Sequence, residues 1–328
     1  MSSASSPAAD PGSSASGSGS SDRTSPGRAE GIDCVVPTHG RPRYLQECLE
    51  SVAAQTLRPR RVIVVSDNGD DASERVVEEF RSAHEGFEVV YVARSENGPG
   101  ASASRNAGAE TGDAPVLAFL DDDDLWEPRY LEAASARLTE GVDAVVTGIR
   151  RFPAQGKGGL RVPAGGLCPR DVFRTAPHVT GSSIVVRRET FDALLGFDSA
   201  LPVQNDRDFF LRLLLEGHHY EVVAEPLVRM RLHAGERLTD PTIRRADGIL
   251  LFLAKHGGQF RRRDRRVLRY ISHRTRLSAP TSGLVRLRSG LLTMVSWSPA
   301  GSRQLPIGLV RMISTRVRRL LDRRVPLT

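Results

Sequence analysis

Val116-Leu117-Ala118-Phe119-Leu120-Asp121-Asp122-Asp123-Asp124-Leu125-Trp126 is the stretch on which the reading of this chain turns. Five apolar residues in an unbroken run read as a strand buried on both faces, and such strands belong to parallel sheets covered by helices. Four carboxylates follow at once, pinned between that strand and Leu125-Trp126. Adjacent carboxylates repel one another, which raises the pKa of some of them unless a cation is bound. Carboxylate oxygens suit Mg2+ or Mn2+, and Mg2+ commonly binds through one or two carboxylates together with substrate phosphates. The segment therefore points to a hard-cation site at a strand end, with a metal diphosphate as the implied ligand. The plainer alternative is a solvated acidic loop in which Asp124 or a neighbour caps the next helix.

Upstream, the same texture repeats. Ile32-Asp33-Cys34-Val35-Val36 reads as a buried strand ending in Pro37-Thr38, followed by a helix over 43–55 with Leu45, Leu49, Val52 and Ala53 at helical spacing. Val62–Val65 precedes a helix over 72–84, Val89–Val92 precedes one over 101–110, and the acidic turn leads into one over 129–138. β-branched runs alternating with amphipathic helices predict an α/β fold with a mostly parallel sheet flanked by helices. In such sheets ligands bind beyond the carboxyl ends of the strands. Thr38, His39 and Arg41 stand there after the first strand, Asp67 to Asp71 after the second, Asn97-Gly98-Pro99-Gly100 after the third, and Asp121 to Asp124 after the fourth. Polar groups from several strand ends converge on one edge, which marks a site. Gly98-Pro99-Gly100-Ala101-Ser102-Ala103 also fits the G-x-G-x-x-A pattern of dinucleotide binding. Two strand–helix units precede it, however, and its supposed ribose acid, Asp121, is one of four adjacent aspartates; both count against a dehydrogenase.

At these residues the sequence resembles the family 2 glycosyltransferases, over roughly Gly31 to Leu238. Cys34 to Pro42 is similar to that family's opening strand and loop, and Leu49 to Thr56 to its first helix. Asn97 to Gly100 with Ala103 to Gly108 resembles the segment beside the donor, and Leu120 to Asp124 resembles the DXD motif with Asp121 and Asp123 as its acids. Gly181 to Arg188, followed by Gly196-Phe197-Asp198, resembles the acceptor-side strand and helix. Gln204 to Leu213 resembles the start of the helix that carries the catalytic base. The resemblance implies a GT-A fold and an inverting transfer of a hexosyl or related sugar from a nucleotide-diphosphate sugar to an acceptor hydroxyl, in cell-envelope glycan biosynthesis. It implies Asp206 as base, because attack at an anomeric carbon needs a group to take the hydroxyl proton. Asp123 is the implied metal ligand, joined by His233 as metal or phosphate ligand, with Mn2+ or Mg2+ as cofactor. Pro37, Thr38, Arg41, Asp67, Arg105, Asp121 and Asp122 are the implied donor contacts. Asp206 and Asp208 are also read as first-turn acids favoured by a helix dipole. The chain departs from the family at Ser66-Asp67 in place of an acidic pair, at Asn205 in place of Glu, and at His39-Gly40 in place of an aromatic-Asn pair. Rival readings are a nucleotidyltransferase acting on a sugar phosphate, and a non-catalytic sugar-nucleotide or membrane-binding protein on the same fold.

The ends of the chain differ from this core. Residues 1–30 are almost entirely Ser, Ala, Gly, Pro and Asp and cannot offset the entropy of ordering, so they read as a disordered tail. Residues 31–240 are expected to form the glycosyltransferase domain, and 241–328 a basic, largely helical extension. From Lys255 to the end, eighteen Lys and Arg stand against two Asp, although the net charge of the whole chain is only +7. Helices are expected over 243–255, 260–275, 284–297 and 309–321. Basic amphipathic helices often lie on anionic membrane surfaces, which would suit a glycan or lipid-linked acceptor; packing on the core with a solvated arginine face is the alternative. No nucleic-acid module is recognisable, so no nucleic-acid partner is expected. The 39% hydrophobic content excludes a wholly disordered or fibrous chain. Cys34, Cys48 and Cys168 form neither a disulfide framework nor a zinc pattern. With no secretory signal and no membrane-spanning run, the expected location is cytoplasmic, or peripheral on the inner face of the membrane.

Overall fold

The computed structural model describes residues 31–296 apart from 85, 87, 95–99, 154–158, 176, 233–240 and 281. The expectations for the 1–30 tail, Asn97-Gly98-Pro99, His233 and the 309–321 helix lie outside the described residues.

The alternation read from the sequence is present. In chain order it runs β1 (Ile32–Thr38), α1 (Pro42–Ala53), β2 (Arg61–Ser66), α2 (Asp71–Ala83), β3 (Glu88–Ala93), α3 (Ala101–Thr111) and β4 (Val116–Phe119). These four strands are parallel, in the order β3-β2-β1-β4. β1 runs on through Pro37 to Thr38. β4 pairs only as far as Val35, so Pro37 has a single neighbouring strand, the edge-like setting in which proline is tolerated.

Each apolar run feeds two cores, because successive side chains point to opposite faces. Cys34, Val36, Val62 and Val64 pack with Leu45, Leu49 and Val52 of α1 and with Val77 and Phe80 of α2. Val35, Ile63, Val65, Leu117 and Phe119 pack on the other face with Phe209 and Phe210. α3 lies close on that second face at Gly108, where a Cβ would stand 2.3 Å from Val35 Cγ1.

Beyond β4 the sheet becomes mixed. β5 (Asp124–Trp126) and α4 (Tyr130–Ser135) follow the acidic turn, then β6 (Ala144–Pro153), β7 (Gly159–Arg161), α5 (Pro169–Arg174), β8 (Ile184–Arg187), α6 (Arg188–Ala193), α7 (Asn205–Leu215) and β9 (Tyr220–Leu232). The sheet continues β4-β8-β6-β9-β5, with β8 antiparallel to β4 and β6, β9 parallel to β6, and β5 antiparallel to β9. The acidic turn thus does not lead straight into a helix: β5 intervenes, and α4 is shorter than the expected 129–138. The local pattern missed β5 because its pairing partner lies about a hundred residues onward, at Val228 to Met230.

The chain then turns helical, with α8 (Ile243–His256), α9 (Arg262–Ser278) and α10 (Gly283–Ser296). Ile249, Phe252, Leu253 and Leu268 join the cluster that holds Phe173 and Phe209. Among the described residues no helix is long and apolar enough to cross a membrane.

Candidate active site

The four aspartates form a tight turn. Asp124 N–H donates to the Asp121 carbonyl at 3.0 Å, and β5 begins at Asp124, so the turn is fixed at both ends. Within it the side chains alternate. Asp122 and Asp124 are buried. Asp121 and Asp123 keep 31% and 23% of their side-chain surface exposed. That alternation gives the motif its two outward acids.

The inward pair belongs to the scaffold. Asp122 accepts from Thr38 Oγ1 at 2.8 Å and from the His39 N–H at 3.3 Å. Asp124 accepts from Ser182 Oγ at 2.8 Å and from the Arg231 N–H at 3.2 Å. Ser182 in turn accepts from the Asp121 N–H at 3.1 Å, and its carbonyl accepts from Trp126 Nε1 at 2.9 Å. Burial lifts the Asp122 carboxyl to about 6 although the Arg41 guanidinium opposes it. Burial, with Asp123 and Asp121 nearby, also holds Asp124 well above the usual carboxylate range.

Arginines counter the outward pair. Arg41 pairs with Asp123 and, at 3.3 Å, with Asp122. Burial works against its charge, but the two aspartates outweigh burial and raise its pKa. Arg105 pairs with Asp121 and reaches Asp206 Oδ1 at 3.5 Å, with its guanidinium 5.1 Å from the centre of the Phe197 ring. Only 3% of the Arg105 side chain is exposed, so this charge is built in. Gly181 makes room for it, since a Cβ there would lie 2.6 Å from the guanidinium.

Asp206 enters from α7. Gln204 precedes that helix in the left-handed region (φ 69°, ψ 14°), an uncommon conformation for a residue with a side chain. Asn205 is buried; its amide donates to Ser102 Oγ at 2.8 Å, and its oxygen accepts from the Asp206 N–H at 2.8 Å. The residue that replaces the family's Glu is therefore spent on anchoring the helix start. Asp206 keeps a quarter of its side chain exposed. Burial pushes it up to about 6, against the pull of Arg105 and with help from Asp121. A carboxylate near 6 is poised to accept a proton near neutral pH.

Among the expected donor contacts, Thr38, Arg41, Arg105, Asp121 and Asp122 form one linked set with Asp123 and Asp206. Asp67 is joined to it through its 2.5 Å contact with His39 Nδ1, next to Thr38. Pro37 is the β1 residue before Thr38. Sequence reasoning missed the tie supplied by Ser182, whose only local signal is the polar Gly181-Ser182-Ser183 turn ahead of an apolar strand. It also missed Glu47, which pairs with Arg231, while Arg231 Nε donates to the Asp123 carbonyl at 3.2 Å.

The donor set fits a hard cation bound through one outward carboxylate and the phosphates of a ligand. Among the described residues no three His, Cys, Asp or Glu side chains come together as an all-protein cage.

Residues 33–195 match the family model described as Glycosyl transferase family 2. That region belongs to the family. A glucosyl-dolichyl phosphate glucuronosyltransferase of Haloferax volcanii is 35% identical over 119 residues, 36% of this chain and 37% of that protein. The putative glycosyltransferase EpsH of Bacillus subtilis is 30% identical over 115 residues, 35% of this chain and 32% of that protein. The chain thus spans about a third of the length of these curated relatives. An uncharacterized glycosyltransferase of Haemophilus influenzae is 28% identical over 62% of this chain and 68% of its own length. Among solved structures, the mannosyltransferase PcManGT from Pyrobaculum calidifontis, in complex with GDP-Man and Mn2+, superposes with a TM-score of 0.59 at 18% identity, covering 86% of this chain and 80% of its own. S. aureus TarS 1–349 in complex with UDP-GlcNAc gives a TM-score of 0.54 at 17% identity, covering 84% and 76%. At such identities these likenesses speak to the fold, which is that of the GT-A glycosyltransferases.

Proposed function

We propose that this family 2 protein transfers a sugar from a nucleotide-diphosphate sugar to an acceptor hydroxyl with inversion at the anomeric carbon. Residues 31–240 are the transferring unit, and 241–328 a basic extension. One observation carries the reading: Asp206, held near 6, stands across the buried Arg105 from the outward face of the acidic turn.

In a single displacement Asp206 takes the proton of the acceptor hydroxyl. The oxygen bonds to the anomeric carbon, and the bond from that carbon to the diphosphate breaks, releasing nucleoside diphosphate. One displacement inverts the configuration. Asp123 is the ligand for a divalent cation, with His233 the second candidate. Held there, Mn2+ or Mg2+ would supply positive charge against the charge growing on the leaving diphosphate. Arg41, at the rim, can pass from Asp123 to a donor phosphate, whereas Arg105 stays buried and keeps Asp121 and Asp206 compatible at close range. Thr38 and Asp122 brace the loop at the donor, and Asp67 lies towards the nucleotide base. The acceptor is a glycan or a lipid-linked glycan, and the arginines after Lys255 draw the protein to the inner face of an anionic membrane.

The test is turnover of a panel of nucleotide sugars with Mn2+, scored by product. Nucleoside diphosphate with inverted product supports the reading. Pyrophosphate release would make the chain a nucleotidyltransferase, and nucleotide binding without product would make it a binding protein. In Asp123→Ala, Mn2+-dependent nucleoside diphosphate binding should fall to its metal-free level; unchanged dependence would remove Asp123 as ligand.

A further inference from the structure

α10 is built inside out. Ser289, Thr293 and Ser296 are its buried residues, and Thr293 Oγ1 satisfies itself on the Ser289 carbonyl at 2.6 Å. Gly290 sits against Leu277 of α9, its Cβ position 3.9 Å from Leu277 Cδ1. The small polar residues thus face the protein. Leu284, Leu287, Leu291, Met294 and Val295 face outward, between 56% and 82% exposed. A helix of a water-facing surface turns its apolar stripe inward. Five large apolar side chains on one short exposed helix are the mark of an interaction surface rather than of scattered exposure.

The surroundings of that face are cationic. Arg262, Arg266 and Arg269 are exposed at the spacing of one face of α9. Arg266 donates to the Val295 carbonyl at 2.8 Å, which fixes it at the end of the apolar face. His273 of α9 lies below its ordinary pKa through burial and through the charges of Arg269 on its own helix and Arg288 of α10. No acidic residue occurs in α10. The occupant must therefore be apolar and anionic together. A second copy of the chain would bring the same arginines. Residues 297–328 carry seven arginines against one aspartate and would add like charge as well. A bilayer with anionic headgroups offers both properties, and interfacial helices with an apolar face and Lys/Arg flanks bind in that way.

We propose that α10 is a membrane-contact element, its outward face of Leu284, Leu287, Leu291, Met294 and Val295 entering the surface layer of an anionic bilayer while Arg266, Arg269 and Arg288 bind the headgroups. This goes beyond attraction by net charge, since it names an inserting face, and it is independent of the chemistry at the cleft. The experiment is co-sedimentation of the full chain with phosphatidylcholine vesicles and with mixed phosphatidylcholine–phosphatidylglycerol vesicles. Binding is expected to the mixed vesicles only and to weaken as salt rises. The variant Leu287→Gln/Leu291→Gln/Met294→Gln, which keeps good helix formers, should bind at least about tenfold more weakly. Arg288→Gln should bind about fivefold more weakly. Leu284→Gln, at the most exposed position, gives a second reading if the triple variant melts early. Absence of binding to mixed vesicles overturns the proposal. So does binding that the glutamine variants leave unchanged, which would assign it to charge alone. A concentration-dependent dimer that the triple variant dissolves would give the face to a second copy and would also overturn it.

Discussion

Asp206 and Asp208 lie two residues apart in the first turn of α7, under the same helix dipole, and the protein drives them in opposite directions. On the cleft side, Asp206 has one guanidinium at 3.5 Å, and Arg105 divides that charge with Asp121. Burial wins there and lifts the acid to about 6. On the side facing the C-terminal helices, Asp208 is fully buried but accepts from His256 Nε2 at 2.7 Å, from Lys255 Nζ at 2.8 Å and from Arg212 Nε at 2.8 Å. Burial loses there, and those partners hold the acid at about 2. The number of donors decides the outcome, and the dipole that both acids share does not. An acid left short of partners in a cleft can exchange a proton; one saturated with partners holds helices together.

Matched substitutions break or sharpen this contrast. The largest effect is expected for Asp206→Asn, which cannot take the acceptor proton: transfer should fall by on the order of 10²–10⁴ while nucleotide affinity persists. The same change removes a charge that burial disfavours, so stability should rise by about 1–2 kcal/mol. A variant that turns over normally would return Asp206 to a structural role. Asp208→Asn should do the reverse. It strips the charge from a buried cluster of cations and should cost about 2–4 kcal/mol in a chemical melt, with turnover per folded molecule kept. Loss of transfer in a folded Asp208→Asn protein would mean that the two sides of α7 are not separate.

Next in size is the pH dependence of the rate. With the base near 6, transfer should fall about tenfold per pH unit below that value and level off above it. A flat profile between pH 5 and 7 (roughly one unit either side of that value) would argue against Asp206 as the rate-governing base. The smallest effect concerns acid stability. The folded pKa of Asp208, about 2, lies below its ordinary 3.8. Its stabilisation is therefore complete above 3.8 and lost as pH falls through 2, an amount of about 2 kcal/mol. Asp208→Asn should abolish that acid-side loss, and a melt series across the window would show it.

Part of this site was legible in the residues. The acidic turn and the strand ends stand where an α/β sheet puts ligand-binding groups, and the resemblance pointed to Arg105 and Asp206. The sequence could not separate the four aspartates by burial, because the partners that hold Asp122 and Asp124 inward are remote in the chain: Thr38 and Ser182 lie 84 and 58 residues from them. Nor could it show that Asn205 would turn inward to Ser102, 103 residues upstream.

What the sequence determined by itself was periodic and local. Runs such as Val62 to Val65 and Leu117 to Phe119 are apolar at every position because each is buried on two faces, and that pattern survives in one dimension. The basic character of the chain after Lys255 is likewise a matter of composition. Tertiary structure alone decided which groups meet. Arg105 reaches Asp206 across 101 residues of chain, β5 finds β9, and α10 buries its serines and turns Leu284, Leu287 and Leu291 outward. Hydrophobic periodicity reports how a segment is buried, whereas the ionisation of a carboxylate and the orientation of a helix depend on partners that distant parts of the chain supply only once it is folded.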